Sequence, residues 1–260
     1  MEAALLKSDQ ISEDTVLGGR VTIRQPREGY RAAIDPILLA AAVPAKSHHK
    51  ILDAGTGVGT AALCLAARVS GISMTAIENN PTLVALAREN IKLNKFDINV
   101  LEGNIATLFH EPHPAIEPGT FDHVMANPPY LPEAHGRPSP NNLKHGATHE
   151  TQDGFESWVA FAHAALKHKG MFTLIHRADR LDVILRALSG PFGDICVLPL
   201  WPKRMGGESK LQEAKRVIVR ARKGVASPLR MLSGVILHEA DGAYTPEAEG
   251  VLRSGHGINF

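Results

Sequence analysis

Two stretches of the chain carry residue types at spacings that could do chemistry. In the first, the apolar run Ile51-Leu52 leads through Asp53 into Ala54-Gly55-Thr56-Gly57-Val58-Gly59. Glycines at such a turn let the backbone approach a ligand closely. A dinucleotide fingerprint would need a third glycine where Thr60 stands, and the lysine of a phosphate-binding loop is missing, so a pyrophosphate is not the expected ligand. Glu78 follows at the end of the next apolar run, nineteen residues after Gly59, where a carboxylate can accept protons from ribose hydroxyls. A nucleoside without phosphates fits this pair. Asp53 could cap the turn, or meet an ammonium or a water network at an amino-acid end of the ligand.

The second stretch is Asn127-Pro128-Pro129-Tyr130, directly after the apolar run 121–126. Two prolines fix an extended turn, making the Asn127 amide and the Pro128 carbonyl rigid acceptors beside an aromatic ring. Such a site suits a flat amine. The lone pair of an exocyclic amino group on adenine is delocalised into the ring, and two acceptors on its hydrogens favour a pyramidal nitrogen with that pair free. Preorganised acceptors act electrostatically and need no strong base. Tyr130 would stack on the base, a contact worth about 1–3 kcal/mol.

The elements that must position these residues follow an alternating pattern. Apolar runs at 50–54, 72–77, 98–101, 121–126, 171–176, 195–200 and 216–221 read as seven strands. Helix-period segments at 59–69, 81–93, 153–169 and 179–189 fall between them, with Asn80, Asp153 and Asp179 as expected caps and Pro81 in a first turn. This predicts an α/β fold, a doubly wound and mostly parallel sheet. Eight of the 17 prolines lie between 111 and 140 and interrupt the pattern, as does 201–212; exposed loops of this kind carry most sites. Trp158, Phe161 and Ala165 share one helical face and read as core.

With 44% hydrophobic and 21% charged residues, the 260-residue chain is a globular protein and not a disordered or fibrous one. Its net charge of +1 hides an asymmetry: 201–230 holds nine Lys or Arg against two Glu, on an otherwise net negative body. Lys203, Arg204, Lys215, Arg216, Arg220, Arg222 and Lys223 are the candidates to meet an anionic partner. Met1-Glu2-Ala3-Ala4 lacks the basic start of a secretion signal, and no apolar run approaches the ~20 residues of a membrane span. The far-spaced Cys64 and Cys196 read as free buried thiols, and a cytoplasmic location without membrane partner is expected. His145 and His149 stand four apart without an HExxH pattern, so no metal site is expected.

The order Asp-x-Gly-x-Gly-x-Gly at 53–59, an acid at 78 and Asn-Pro-Pro-Tyr at 127–130 resembles the class I S-adenosylmethionine-dependent methyltransferases that modify planar nitrogens. The segment 25–35 and the tail 234–245 are similar to the two ends of the tRNA adenine-N6 methyltransferase family that acts beside the anticodon of a valine tRNA. The resemblance spans about residues 16 to 254. It implies a Rossmann-like sheet of seven strands with the last one antiparallel, and S-adenosyl-L-methionine as cofactor. It further implies a cofactor pocket formed by Tyr30, Arg31, Asp35, Asp53, Gly55, Thr56, Gly57, Gly59, Glu78, Asn79, Asn104 and Asn127. Related enzymes often carry Asp where this chain has Asn104. The catalytic set is Asn127, Pro128, Pro129 and Tyr130, and tRNA is the implied partner. The expected organisation is an N-terminal extension over the pocket (1–45), a methyltransferase core (46–225) and a short tail packed on it (226–260), a single domain overall. Three alternatives stay open: a glutamine of a release factor as acceptor, another base in rRNA or DNA, and an RNA-binding module with a silent cofactor pocket.

Overall fold

The computed structural model of the chain describes residues 7–28, 33–110, 113–129, 131–132, 149–150, 154–203 and 212–260. It opens with a hairpin that the hydrophobic pattern did not announce, β1 (Ile11–Val16) against β2 (Val21–Pro26), turning through the positive-φ residues Leu17, Gly18 and Gly19. In chain order there follow α1 (Asp35–Ala42), β3 (Lys50–Ala54), α2 (Thr60–Arg68), β4 (Ser73–Glu78), α3 (Pro81–Asn94), β5 (Ile98–Glu102), α4 (Ile105–His110) and β6 (Phe121–Ala126). After the short strands β7 (Leu131–Pro132) and β8 (His149–Glu150) come α5 (Gly154–Ala165), β9 (Leu166–Arg177), α6 (Leu181–Leu188), β10 (Phe192–Lys203) and β11 (Arg216–Lys223). The chain finishes with β12 (Arg230–Met231), β13 (Val235–His238) and α7 (Pro246–Leu252).

The seven expected strands form the body of one sheet in the spatial order β10-β11-β9-β6-β3-β4-β5; β12 and β13 both pair with β10 and bring it to nine strands. β9, β6, β3, β4 and β5 are parallel, and β11 runs antiparallel to both of its neighbours. Successive residues of β3 serve opposite faces: Ile51 joins the core under α1, α2 and α3, whereas Leu52 joins the core under α4, α5 and α6. Helices therefore cover both faces, as a parallel sheet requires.

Local chemistry explains where the elements begin and end. The Asn80 side chain accepts from the backbone N–H groups of Thr82 and Leu83, and Pro81 occupies the first turn of α3. Asp179 does not cap α6; its carboxylate pairs with Arg177 instead, and Arg180 takes the N-cap position. α5 is shorter than its apolar spacing suggests, because the chain is already in strand conformation from Leu166 onward; Lys169 at φ 63° lies just before Gly170 within β9. The hairpin is held to α3 by side chains: Asn90 accepts from Arg24 N–H at 2.8 Å and donates to Arg24 O at 2.9 Å, and Asn94 does the same with Thr22. Cys64 and Cys196 are free and buried, and burial pushes the Cys64 thiol up to about 12. Among the described residues no helix is long and apolar enough to cross a membrane.

Candidate active site

Parallel strands deliver their carboxyl ends to one edge of the sheet, and in such sheets that edge is where ligands bind. β3 ends at Ala54 and passes into a turn in which Gly55, Gly57 and Gly59 have φ of 70°, 59° and 88°. These are left-handed values that glycine adopts without strain. A Cβ on Gly57 would have nothing within 4 Å among the described residues, so the backbone there is open on that side. One on Gly55 would lie 2.6 Å from the Trp158 ring, so the indole rests directly on the turn. Gly59 is instead the N-cap of α2, with Ala87 of α3 close behind it.

Two carboxylates sit beneath this turn. Asp53, 2% exposed, accepts from the Thr56 hydroxyl at 2.6 Å. Burial raises its carboxyl to about 7, against the opposing effect of the Thr56 hydrogen bond and with a further push from the Glu78 charge. Glu78, at the end of β4, accepts from three backbone N–H groups: Gly57 at 2.8 Å on Oε2, and Asn79 at 3.0 Å and Asn80 at 2.9 Å on Oε1. Burial still holds its carboxyl above the usual range. A carboxylate offers about four acceptor directions, so the one left after these three bonds lies on Oε2. Glu78 thus arrives at the cleft already oriented, with room for a hydroxyl donor at that oxygen.

The fourth expected component joins them at the end of β6. Asn127 and Pro129 line the same cleft as Asp53, Gly55, Thr56, Gly57, Glu78, Asn79 and Asn104. Asn104 accepts from the Ala106 N–H at 2.9 Å and starts α4, so its Oδ1 serves the helix. Pro128 is buried behind the turn. The cleft also takes up residues the sequence did not assign to it: Pro26, Pro36, Leu39, Ile105, Ser157, and Trp158, which was expected to be core. Trp158 packs against the core of the α5 face and lines the cleft as well, a double role that helical periodicity cannot separate.

The set fits a nucleoside carrying an amino acid. Thr60, 2% exposed, lines the cleft with an Oγ1 that has no partner among the described residues. Asp53 is a carboxyl poised to ionise beside a cation, Glu78 an oriented acceptor, and Gly57 a backbone that nothing among the described residues blocks. Within the described lining, Asp53 and Glu78 are the titratable groups.

Other expected site residues are placed elsewhere. Asp35 does not line the cleft: its carboxylate accepts from Arg216 Nε at 2.9 Å. The basic set of 201–230 does not form one surface, because β11 runs antiparallel and carries successive residues away from the site edge. Arg216 lies opposite Arg177 at that edge, and Arg222 opposite Met171 at the far end, about 20 Å away at strand rise. Arg220 is buried, donates to the Ala42 carbonyl at the end of α1 and stacks 3.5 Å over the Phe260 ring. Burial lowers its guanidinium to about 10. Arg222 pairs with Asp194 at 3.6 Å, and Lys223 donates to the His163 and Leu166 carbonyls at the end of α5. Arg220 and Lys223 are therefore helix-end partners and not surface cations. Lys203 and Lys215 stand at the site edge. Tyr30, Arg31, Tyr130, Arg204 and His145 lie outside the described residues, as does the His149 side chain.

The methyltransferase small domain family matches residues 34–187, more than half of the chain. The tRNA1(Val) (adenine(37)-N6)-methyltransferase of Bacteroides thetaiotaomicron is 27% identical over 169 residues, 65% of this chain and 68% of that protein; its counterpart in Tolumonas auensis is 33% identical over 130 residues, 49% and 51%. The release factor glutamine methyltransferase of Deinococcus radiodurans is 34% identical over 131 residues, 48% of this chain and 44% of that protein. The match thus spans less than half of the Deinococcus protein and about half of the Tolumonas one. Among solved structures, a protein of Agrobacterium tumefaciens described as a predicted O-methyltransferase superposes with a TM-score of 0.69 at 26% identity, covering 86% of this chain and 98% of that one. A 16S rRNA methyltransferase of Thermus thermophilus, solved with its methyl donor and guanosine, shares the fold at a TM-score of 0.53 and 17% identity, over 82% of this chain and 50% of that one. The chain belongs to the methyltransferase small domain family, and its cofactor is S-adenosylmethionine.

Proposed function

We propose that the chain methylates the exocyclic N6 amine of an adenine in tRNA by direct transfer. The observation that carries this reading is that Asn127 and Pro129, the residues on either side of Pro128, line the same cleft as Asp53 and Glu78, so a turn suited to a planar amine lies beside a pocket suited to the cofactor. When bound, S-adenosylmethionine supplies a methyl group on a sulfonium. Gly57 admits the nucleoside, the remaining lone pair of Glu78 Oε2 takes a ribose hydroxyl, and Asp53 and Thr60 meet the polar amino-acid end. The Asn127 side chain and the Pro128 carbonyl accept the two amine hydrogens and free the nitrogen lone pair. Tyr130 stacks on a base drawn out of its stack. Asp35 supports the pocket through Arg216, and Tyr30 and Arg31 are assigned to the cofactor by the family resemblance of segment 25–35.

The choice of tRNA rests on the likeness of the chain's two ends to the tRNA family and on the Bacteroides and Tolumonas relatives. Lys203, Arg204 and Lys215 are the cations assigned to the RNA backbone. The second reading, a glutamine side chain in a release factor, is favoured by the Deinococcus relative. It uses the same turn, because a carboxamide also presents a planar nitrogen.

Replacing Asn127 tests the central role. Asn127→Ala is expected to lose methyl transfer to tRNA by about 100-fold or more, as for loss of a preorganised polar group, with cofactor affinity by calorimetry within about threefold of the parent. Cofactor affinity falling in step with activity would contradict an acceptor-side role.

A further inference from the structure

The Asn127-Pro128-Pro129 turn has a chemical weakness that follows from its composition. Neither proline has a backbone N–H, so the turn loses two of the donors that normally tie a tight turn together. The φ angles of both prolines are fixed by their rings, but the rotation about the Cα–C bond of Pro129 is not. That rotation sets the direction of the Pro129 carbonyl and aims the chain into Tyr130. The Pro128 carbonyl is held by the ring of the proline that follows it, so the rotation at Pro129 is the freedom that remains at the far end of the turn, and a preorganised site needs it removed.

His176 stands where it can remove it. Its Nε2 lies 3.4 Å from the Pro129 carbonyl oxygen. The side chain comes from β9, the strand next to β6, and the residue is 1% exposed. Phe155 of α5 packs edge-on against the imidazole at 5.9 Å between centroids, so the ring is wedged between a helix and the turn. Burial pushes the imidazole down to about 4, more than the Pro129 and Arg177 carbonyls raise it, with Arg180 and Arg216 lowering it further. The ring is therefore neutral at physiological pH and must choose one nitrogen for its proton.

We propose that His176, in its Nε2-protonated form, is a positioning residue of the transfer reaction: it donates to the Pro129 carbonyl and locks the acceptor turn from which the two prolines remove two donors. The inference rests on the reading of Asn127 to Tyr130 as the acceptor site. It does not depend on whether the acceptor is an adenine or a glutamine.

Two measurements test it, one of which needs no acceptor. In long-range proton–nitrogen spectra of the full chain at about pH 7, His176 is expected to show a protonated Nε2 and an unprotonated Nδ1. The Pro129 carbonyl carbon shift should move in His176→Phe and return toward the parent in His176→Gln, whose side-chain N–H stands in for Nε2. The reverse tautomer, or a Pro129 shift indifferent to both variants, would overturn the proposal even if the parent labels no RNA, an outcome that would separately remove the tRNA reading. The second measurement is single-turnover transfer from labelled cofactor to unmodified total tRNA or, if that stays unlabelled, to a release factor. His176→Phe should slow transfer about fivefold, the cost of one ordinary hydrogen bond, with cofactor affinity within about twofold; His176→Gln should recover most of the rate. An unaltered rate in the Phe variant, a Gln variant no faster than Phe, or cofactor affinity lost in parallel would each overturn the positioning role.

Discussion

Arg216 Nε donates to Asp35 Oδ2 at 2.9 Å, tying β11 at the site edge of the sheet to the first turn of α1. By sequence these two residues were expected to serve different ligands, a nucleic acid and a cofactor. Together they form a strut: Asp35 precedes Pro36 and Leu39, both of which line the cleft. The side chains are 32% and 12% exposed, so the bond is partly shielded from water. Arg216→Ala is expected to cost about 1–2 kcal/mol of stability, near the lower end for a hydrogen bond between charged groups, and to weaken cofactor binding. The salt dependence of RNA binding should not change. A shallower salt slope with unaltered thermal unfolding would return Arg216 to the RNA path.

Arg220 within β11 and Lys215 just before it should behave oppositely. Arg220→Glu places an anion in a buried site against the Ala42 carbonyl and the Phe260 ring, and it is expected to destabilise the fold by about 3 kcal/mol or more. Lys203→Glu and Lys215→Glu leave stability within about 0.5 kcal/mol but weaken RNA binding and flatten its salt dependence. Chemical denaturation beside filter binding at two salt concentrations separates the two classes. Unchanged RNA affinity in the double Lys variant at low salt would remove those residues from the interface.

The raised Asp53 carboxyl gives cofactor binding a pH dependence with a definite sign. In the ligand-free protein the group is largely protonated below about 7 and ionised above it. A cationic ligand favours the ionised form, so cofactor affinity should rise between about pH 6 and about pH 8. Stability without ligand moves the other way. The unfolded carboxyl ionises near 3.8, so the neutral buried form favours folding at low pH and that contribution is lost as pH rises through about 7. Asp53→Asn should flatten both trends. Calorimetry across this range would contradict the assignment if the parent's affinity stayed constant.

The glycines of the turn predict a graded response. Gly57→Ala meets only the cost of a left-handed φ, about 1 kcal/mol, together with a methyl group in the open cleft. Gly55→Ala carries a comparable φ cost and also drives its Cβ into the Trp158 ring. It should destabilise more, and Trp158→Ala in the same chain should restore part of the loss. Equal unfolding temperatures for the two single variants would show that the indole yields freely.

The sheet and the cleft were legible because they rest on local signals. Strand-length apolar runs, the Asn80-Pro81 cap and the three glycines each specify their own backbone. The β1–β2 hairpin was missed because its hold on α3 comes from Asn90 and Asn94, polar helix residues with no pattern of their own. The basic residues of 203–223 read as one group because sequence counts charges along a strand, whereas the structure distributes them, with Arg216 at the site edge, Arg222 at the opposite end and Arg220 buried. His176 was invisible for a related reason, because it reads as one more residue in an apolar strand until β9 is set beside the Pro129 turn.

The most direct test of the account is methyl transfer from isotopically labelled S-adenosylmethionine to an unmodified total tRNA pool, followed by digestion to nucleosides and mass spectrometry. The account predicts label in N6-methyladenosine, present with the parent chain and lost with Asn127→Ala. Label in a different nucleoside, or none in RNA while the cofactor still binds, would contradict adenine N6 in tRNA as the acceptor.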